Sequence, residues 1–179
     1  MRIAIDVSQL VYHNTGVANY LEQLVLTLLK VDQTNHYILF ASSLRRDLSF
    51  LERKFGKYTN VTIKTAKLPP VMLDILWNKL HIFSIENLIG SVDIFISSDW
   101  TEPPVRTAKK ITILYDLIVY KHPKETAANI ISVQKRKLAW VKKESVRVLC
   151  ISEATKKDAE EILGLDTNKL AVLYPGVTL

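Results

Sequence analysis

Cys150 is the sole cysteine among the 179 residues, so no disulfide can form within the chain. It lies inside an apolar run and reads as a buried, reduced thiol of a cytoplasmic protein. Glycine and proline are scarce, at five and six residues, and no repeat or low-complexity tract is present. These absences argue against a disordered or fibrous chain. Only Ile3, Ala4 and Ile5 separate Arg2 from Asp6, too short a run for the core of a signal peptide. Nor does any stretch reach the roughly 20 apolar residues that span a bilayer. His, Cys, Asp and Glu nowhere adopt the spacing of a metal site, so no metal is expected. Zinc spacing, an aromatic ribonucleoprotein motif and a helix-turn-helix pattern are all missing, which argues against nucleic acid as a partner.

What is present is a chain that is 48% hydrophobic, enough for one ordinary core. The net charge of +6 favours anionic partners such as phosphorylated substrates or acidic lipid, or is simply a solvated lysine-rich surface. The organising stretch is the first thirty residues. Arg2 to Val7 has the apolar, β-branched pattern of a buried strand. After a loop from Ser8 to Gly16, Val17, Tyr20, Leu21, Leu24 and Leu28 recur at helical spacing. Thr15 or Asn14 can cap this helix. Gly16 then leaves its N–H groups and positive dipole end open to an anion.

Further strands are expected at His36–Ser42, Asn60–Thr65 (nearer an edge), Val92–Ser97, Lys110–Tyr115, Arg147–Ile151 and Leu170–Leu173. Between them, Leu44 to Phe55 reads as an amphipathic helix and Val71 to Ile89 as one helix or two short ones stopped at Gly90. Thr126 to Glu144 reads as a long basic helix, and Ser152 caps another that ends at Gly164. Alternating strands and helices imply a doubly wound, Rossmann-like α/β domain with a mainly parallel sheet of about seven strands. The loops Ser8–Gly16, Ser97–Pro104, Tyr115–Pro123 and Ser152–Thr155 then gather at the carboxyl ends of the strands, where such sheets bind ligands.

Several of these stretches resemble the retaining GT-B glycosyltransferases, specifically the group 1 (family 4) type that includes bacterial mannosyl- and glucosyltransferases. Ile3-Ala-Ile-Asp6 with Thr15-Gly-Val-Ala-Asn-Tyr20 is similar to the group's opening strand and Thr-Gly-Ile-Gly-Arg-Tyr loop. Ile113-Leu-Tyr-Asp-Leu-Ile118 with His122-Pro123 is similar to its strand ending in His-Asp-Leu. Cys150 to Asp158, Leu163-Gly-Leu165 and Lys169 to Val177 resemble the segment that closes the N-terminal domain and enters the linker. The resemblance implies an N-terminal, acceptor-side domain over 1–173, a linker starting at 174–179 and a donor-binding second domain lying outside the chain. Such a lobe alone is expected to be inactive. The partners implied are a UDP- or GDP-sugar and a glycan or lipid-linked acceptor.

By the same resemblance, Gly16 and Thr15 would approach the donor diphosphate, together with Ser152 and Glu153. Asp116 would sit beside the donor sugar or acceptor hydroxyl. Ala18 and Asn19 replace the group's second glycine and its arginine, and Tyr115 replaces its histidine. Plain structural readings stand beside each of these: a turn glycine, an acid capping the turn after a strand, a helix cap. Asp99, Glu102 and His122 are candidate acceptor contacts or ordinary loop residues, and His13 faces either the cleft or water. Gln134 to Lys143 carries five cations and Trp140 on one helix. That helix either touches an anionic membrane peripherally or is a solvated face with Trp140 turned inward. A non-catalytic partner module remains an alternative. A dinucleotide-dependent oxidoreductase is a third reading, but the loop from Ser8 to Gly16 lacks the Gly-x-Gly-x-x-Gly turn it requires.

Overall fold

The computed structural model describes residues 1–98 and 100–176. Arg2–Asp6 forms β1, and its apolar residues pair in parallel with β2 (His36–Ser42) on one side, Ile3 opposite Tyr37. On the other side β1 pairs with β4 (Ile94–Ser97), Ile3 opposite Ile94. β3 (Val61–Ala66) closes the β2 side, and β5 (Lys109–Leu114), β6 (Arg147–Cys150) and β7 (Leu170–Val172) extend the other. The seven strands run in the order β3-β2-β1-β4-β5-β6-β7, all parallel. This is the α/β, Rossmann-like doubly wound arrangement expected from the alternation of strands and helices. β3, read as nearer an edge, is the edge strand and only half-buried.

Because both faces of the sheet are covered, neighbouring residues on one strand enter different cores. Ile3 and Ile5 of β1, with Leu39 and Ala41 of β2, pack against α1 (Gly16–Val31) and α2 (Ser49–Phe55). Ala4, Ile38, Phe40 and Phe95 point the other way, onto Trp77, Ile85 and Ile89. α1 seats Leu21, Val25 and Leu29 deepest, while Val17, Leu24 and Leu28 of the expected stripe pack at its margin. A third core lies between α6 (Ala128–Glu144), α7 (Glu153–Leu163) and the β6 strand, around Leu138, Val141, Val148, Cys150 and Ala159. Cys150 is wholly buried there, and burial pushes its thiol up to about 11.

Two stretches differ from expectation. Residues 44–48 are not helical, because the Asp47 carboxylate accepts from the Ser49 N–H at 2.9 Å and starts α2 only at Ser49. The stretch Val71 to Ile89 is broken into three: α3 (Pro70–Leu73), a π-helical turn (Asp74–Lys79) and α4 (Glu86–Ile89). Gly90, at φ 80°, ends the last of these as expected. A short helix α5 (Ile118–Lys121) stands in the loop after β5. No helix among the described residues is long and apolar enough to cross a membrane.

Candidate functional site along the carboxyl edge

Three adjoining hollows follow the carboxyl ends of the strands. The first, about 530 Å³, lies over β5 and β6 and is lined by Gly16, Asn19, Tyr20, Tyr115, Asp116 and Ile151, with Pro175 and Gly176 at its lip. Tyr115 and Asp116 are shared with a second, of about 310 Å³, that also takes in Trp100, Gln134 and Lys137. Trp100 in turn borders a third of about 260 Å³. This one sits at the switch point of the sheet, where β1 separates β2 from β4, over Asp6, Ser8, Gln9, Tyr12 and Ser42. A larger hollow of about 620 Å³ faces away, beside Arg45, Asp47 and Lys67, and contains none of the candidate residues.

The start of α1 is built by Thr15. Its Oγ1 accepts from the Ala18 N–H at 3.2 Å, and its carbonyl accepts from Asn19 at 2.9 Å. That leaves the Gly16 and Val17 N–H groups without an acceptor among the described residues, at the positive end of a 16-residue helix. Gly16 has an ordinary negative φ, and a Cβ added there would meet nothing within 4 Å. Neither turn geometry nor internal packing therefore explains the glycine. It leaves open space where a ligand can approach the backbone.

Asp116 is exposed at the rim, and its Oδ1 accepts from the Ile118 N–H at 3.0 Å. The carboxylate thus starts α5 and lines two hollows at once. Tyr115 is buried. Its hydroxyl lies 3.0 Å from Ser98 Oγ, and its ring meets that of Tyr20 edge-on. The phenol that stands where the group has its histidine is therefore held against Ser98. Ser152 caps α7, its Oγ accepting from the Thr155 N–H at 3.1 Å. Thr155 Oγ1 donates to the Tyr115 carbonyl at 3.1 Å, so the Ser152 hydroxyl proton must go to Thr155 Oγ1, 3.0 Å away. Glu153 stands exposed in the first turn of α7.

Glu102 is corrected outright. The expectation of an acceptor-facing loop carboxylate meets a fully buried side chain that accepts from Ser97 Oγ at 2.7 Å and Thr112 Oγ1 at 2.9 Å. Burial pushes its carboxyl up against the opposing pull of Lys110 and Lys137. His122 is exposed, with Nδ1 3.3 Å from Glu125 Oε1, and does not line the hollows beside Asp116. His13 is exposed and packs its ring edge-on against Phe50, centroids 5.2 Å apart. Asp99 lies outside the described residues. Tyr12, Gln9 and Trp100 were not singled out from the sequence, although two aromatic residues in polar loops after β1 and β4 were the available signal. Among the described residues no group of three His, Cys, Asp or Glu could hold a metal ion.

The fold and this edge define a class: a Rossmann-like domain whose open helix end, rim carboxylate and aromatic-flanked hollow share the carboxyl side of one parallel sheet. No protein-family model matches the chain, and no curated protein matches it.

Proposed function

We propose that the chain is the acceptor-side lobe of a retaining, nucleotide-sugar-dependent glycosyltransferase of the GT-B kind, acting in the cytoplasm or at the inner membrane face. It would move a hexose from a UDP- or GDP-sugar to a glycan or lipid-linked acceptor, a second lobe supplying most donor contacts. The observation that carries this reading is the start of α1: two N–H groups with no acceptor among the described residues, beside Asp116 in one hollow, under a glycine that the fold itself does not need. Charge builds on the departing diphosphate as the sugar–oxygen bond breaks, and oriented N–H groups stabilise that charge with little reorganisation. Asp116 can accept from a sugar or acceptor hydroxyl with the oxygen that does not start α5. The hollow between Tyr12 and Trp100 has the mixed apolar and polar lining that suits an acceptor sugar.

Titration of the ¹⁵N-labelled chain with UDP, GDP and NAD tests the reading. Either nucleoside diphosphate is expected to shift the amide signals of Gly16, Val17 and Asp116. Preferential binding of NAD, or shifts confined to residues outside these hollows, would overturn it.

A further inference from the structure

The stretch from α3 through the π-helical turn exposes six apolar side chains, Val71, Met72, Ile75, Leu80, Ile82 and Phe83, with Val71 at 71% and Leu80 at 58% of full exposure. The same stretch is held unusually firmly. Trp77 is fully buried and donates Nε1–H to the Phe83 carbonyl at 2.9 Å. The His81 ring lies flat on Trp140, centroids 3.5 Å apart, with Nδ1 2.7 Å from the Trp77 carbonyl and Nε2 2.8 Å from Glu144 Oε1. Trp140 Nε1–H donates to the Asn78 carbonyl at 2.9 Å, and Asn78 Oδ1 accepts from the Glu102 N–H at 3.0 Å. His81 and Phe83 sit at φ 52° and 65°, a region side chains rarely adopt. A strained backbone pinned at several points thus faces apolar side chains to solvent, which chance surface exposure does not account for.

The charges around this patch are one-sided. Asp74 is answered by Arg136 at 2.7 Å, and Glu144 by Lys110 at 2.7 Å and by His81. Lys79 and Lys143 have no carboxylate partner among the described residues, and Lys143 Nζ lies 4.8 Å over the Trp140 ring. Apolar side chains flanked by unanswered cations match the boundary between acyl chains and anionic headgroups. Two copies of this face would set like charges against each other, which disfavours self-association.

We infer that residues 71–83, with the C-terminal half of α6, form a docking surface for an anionic phospholipid bilayer. Lys79 and Lys143 supply charge, and Leu80, Ile82 and Phe83 supply the inserted apolar groups. Trp140, the aromatic residue of the basic helix, is the support beneath them and does not itself insert. Pro70 and Leu73 at the start of the stretch also border the hollow of Tyr12 and Trp100, so docking would bring that hollow close to the lipid. The inference does not depend on glycosyl transfer.

Co-sedimentation of the full chain with phosphatidylcholine vesicles, with and without phosphatidylglycerol, at low and high ionic strength, tests it. Binding to the anionic vesicles is expected, weakening by about tenfold at high salt. Leu80→Ser with Ile82→Ser should lower binding by about tenfold or more with an unchanged circular dichroism spectrum. Lys79→Gln with Lys143→Gln should remove most of the salt dependence. Wild-type protein staying in the supernatant with anionic vesicles at low salt would overturn the inference. So would binding that neither pair of substitutions alters, or a dimer of the chain that Leu80→Ser with Ile82→Ser abolishes.

Discussion

Tyr20 meets Tyr115 edge to face, ring centroids 5.6 Å apart and planes at 83°, while its hydroxyl donates to the Leu173 carbonyl at 3.0 Å. One side chain therefore links α1, the end of β5 and the chain leaving β7, the three walls of the hollow beside Gly16. Burial raises the Tyr20 phenol above its ordinary value, so it stays a neutral donor at physiological pH. Tyr20→Phe keeps the ring contact and removes the hydrogen bond. We expect a loss of about 0.5–1.5 kcal/mol in unfolding free energy and faster amide exchange at Tyr174. Unchanged exchange there would show that the hydroxyl does not hold the segment.

Gly16→Asp separates the anion site from stability. The added side chain meets open space, and a carboxylate in the first turn of a helix stabilises it by about 0.3–1 kcal/mol. Thermal denaturation should therefore show an unchanged or slightly higher midpoint. The same charge repels a diphosphate, so the shifts caused by UDP or GDP should vanish. Retained nucleotide binding in this variant would rule out the start of α1 as the phosphate contact.

Glu102 makes a pH prediction. Its folded carboxyl is held above the ordinary value of 4.5, chiefly by burial. Such a group binds its proton more tightly in the folded state. It therefore contributes stability below the unfolded value and loses it as pH rises through the folded one. Glu102→Gln does not titrate, and its one carbonyl oxygen keeps the acceptor for either Ser97 or Thr112, which donate to different carboxylate oxygens. Urea unfolding from about pH 4 to about pH 7 should show the variant gaining on wild type by about 1.4 kcal/mol for each pH unit crossed between those two values. A pH-independent difference would mean that the buried carboxyl is not perturbed.

All seven strands were legible because each is a short β-branched apolar run whose pattern carries its own period. The cap at Ser152 was legible too, and Thr15 was one of the two caps the sequence offered for α1; each bonds an N–H three residues ahead. The stretch from Val71 to Ile89 was not. Its π-helical turn depends on Trp140 reaching Asn78 across 62 residues and on His81 reaching Glu144 across 63. Lys137 read as one more solvated cation, yet it is buried and donates to the Ser98 carbonyl, 39 residues earlier in the chain.

The order of amino acids determined by itself the doubly wound parallel class and the edge at which its polar loops collect, because periodicity and capping act over a few neighbouring residues. Only the tertiary structure decided which polar side chains on those loops face solvent. Asp116 stays at the rim while Glu102, from the neighbouring loop, is drawn inward to Ser97, Thr112 and Lys110. Whether a charge is hydrated or buried depends on what packs over it from distant parts of the chain, and local spacing carries no record of that.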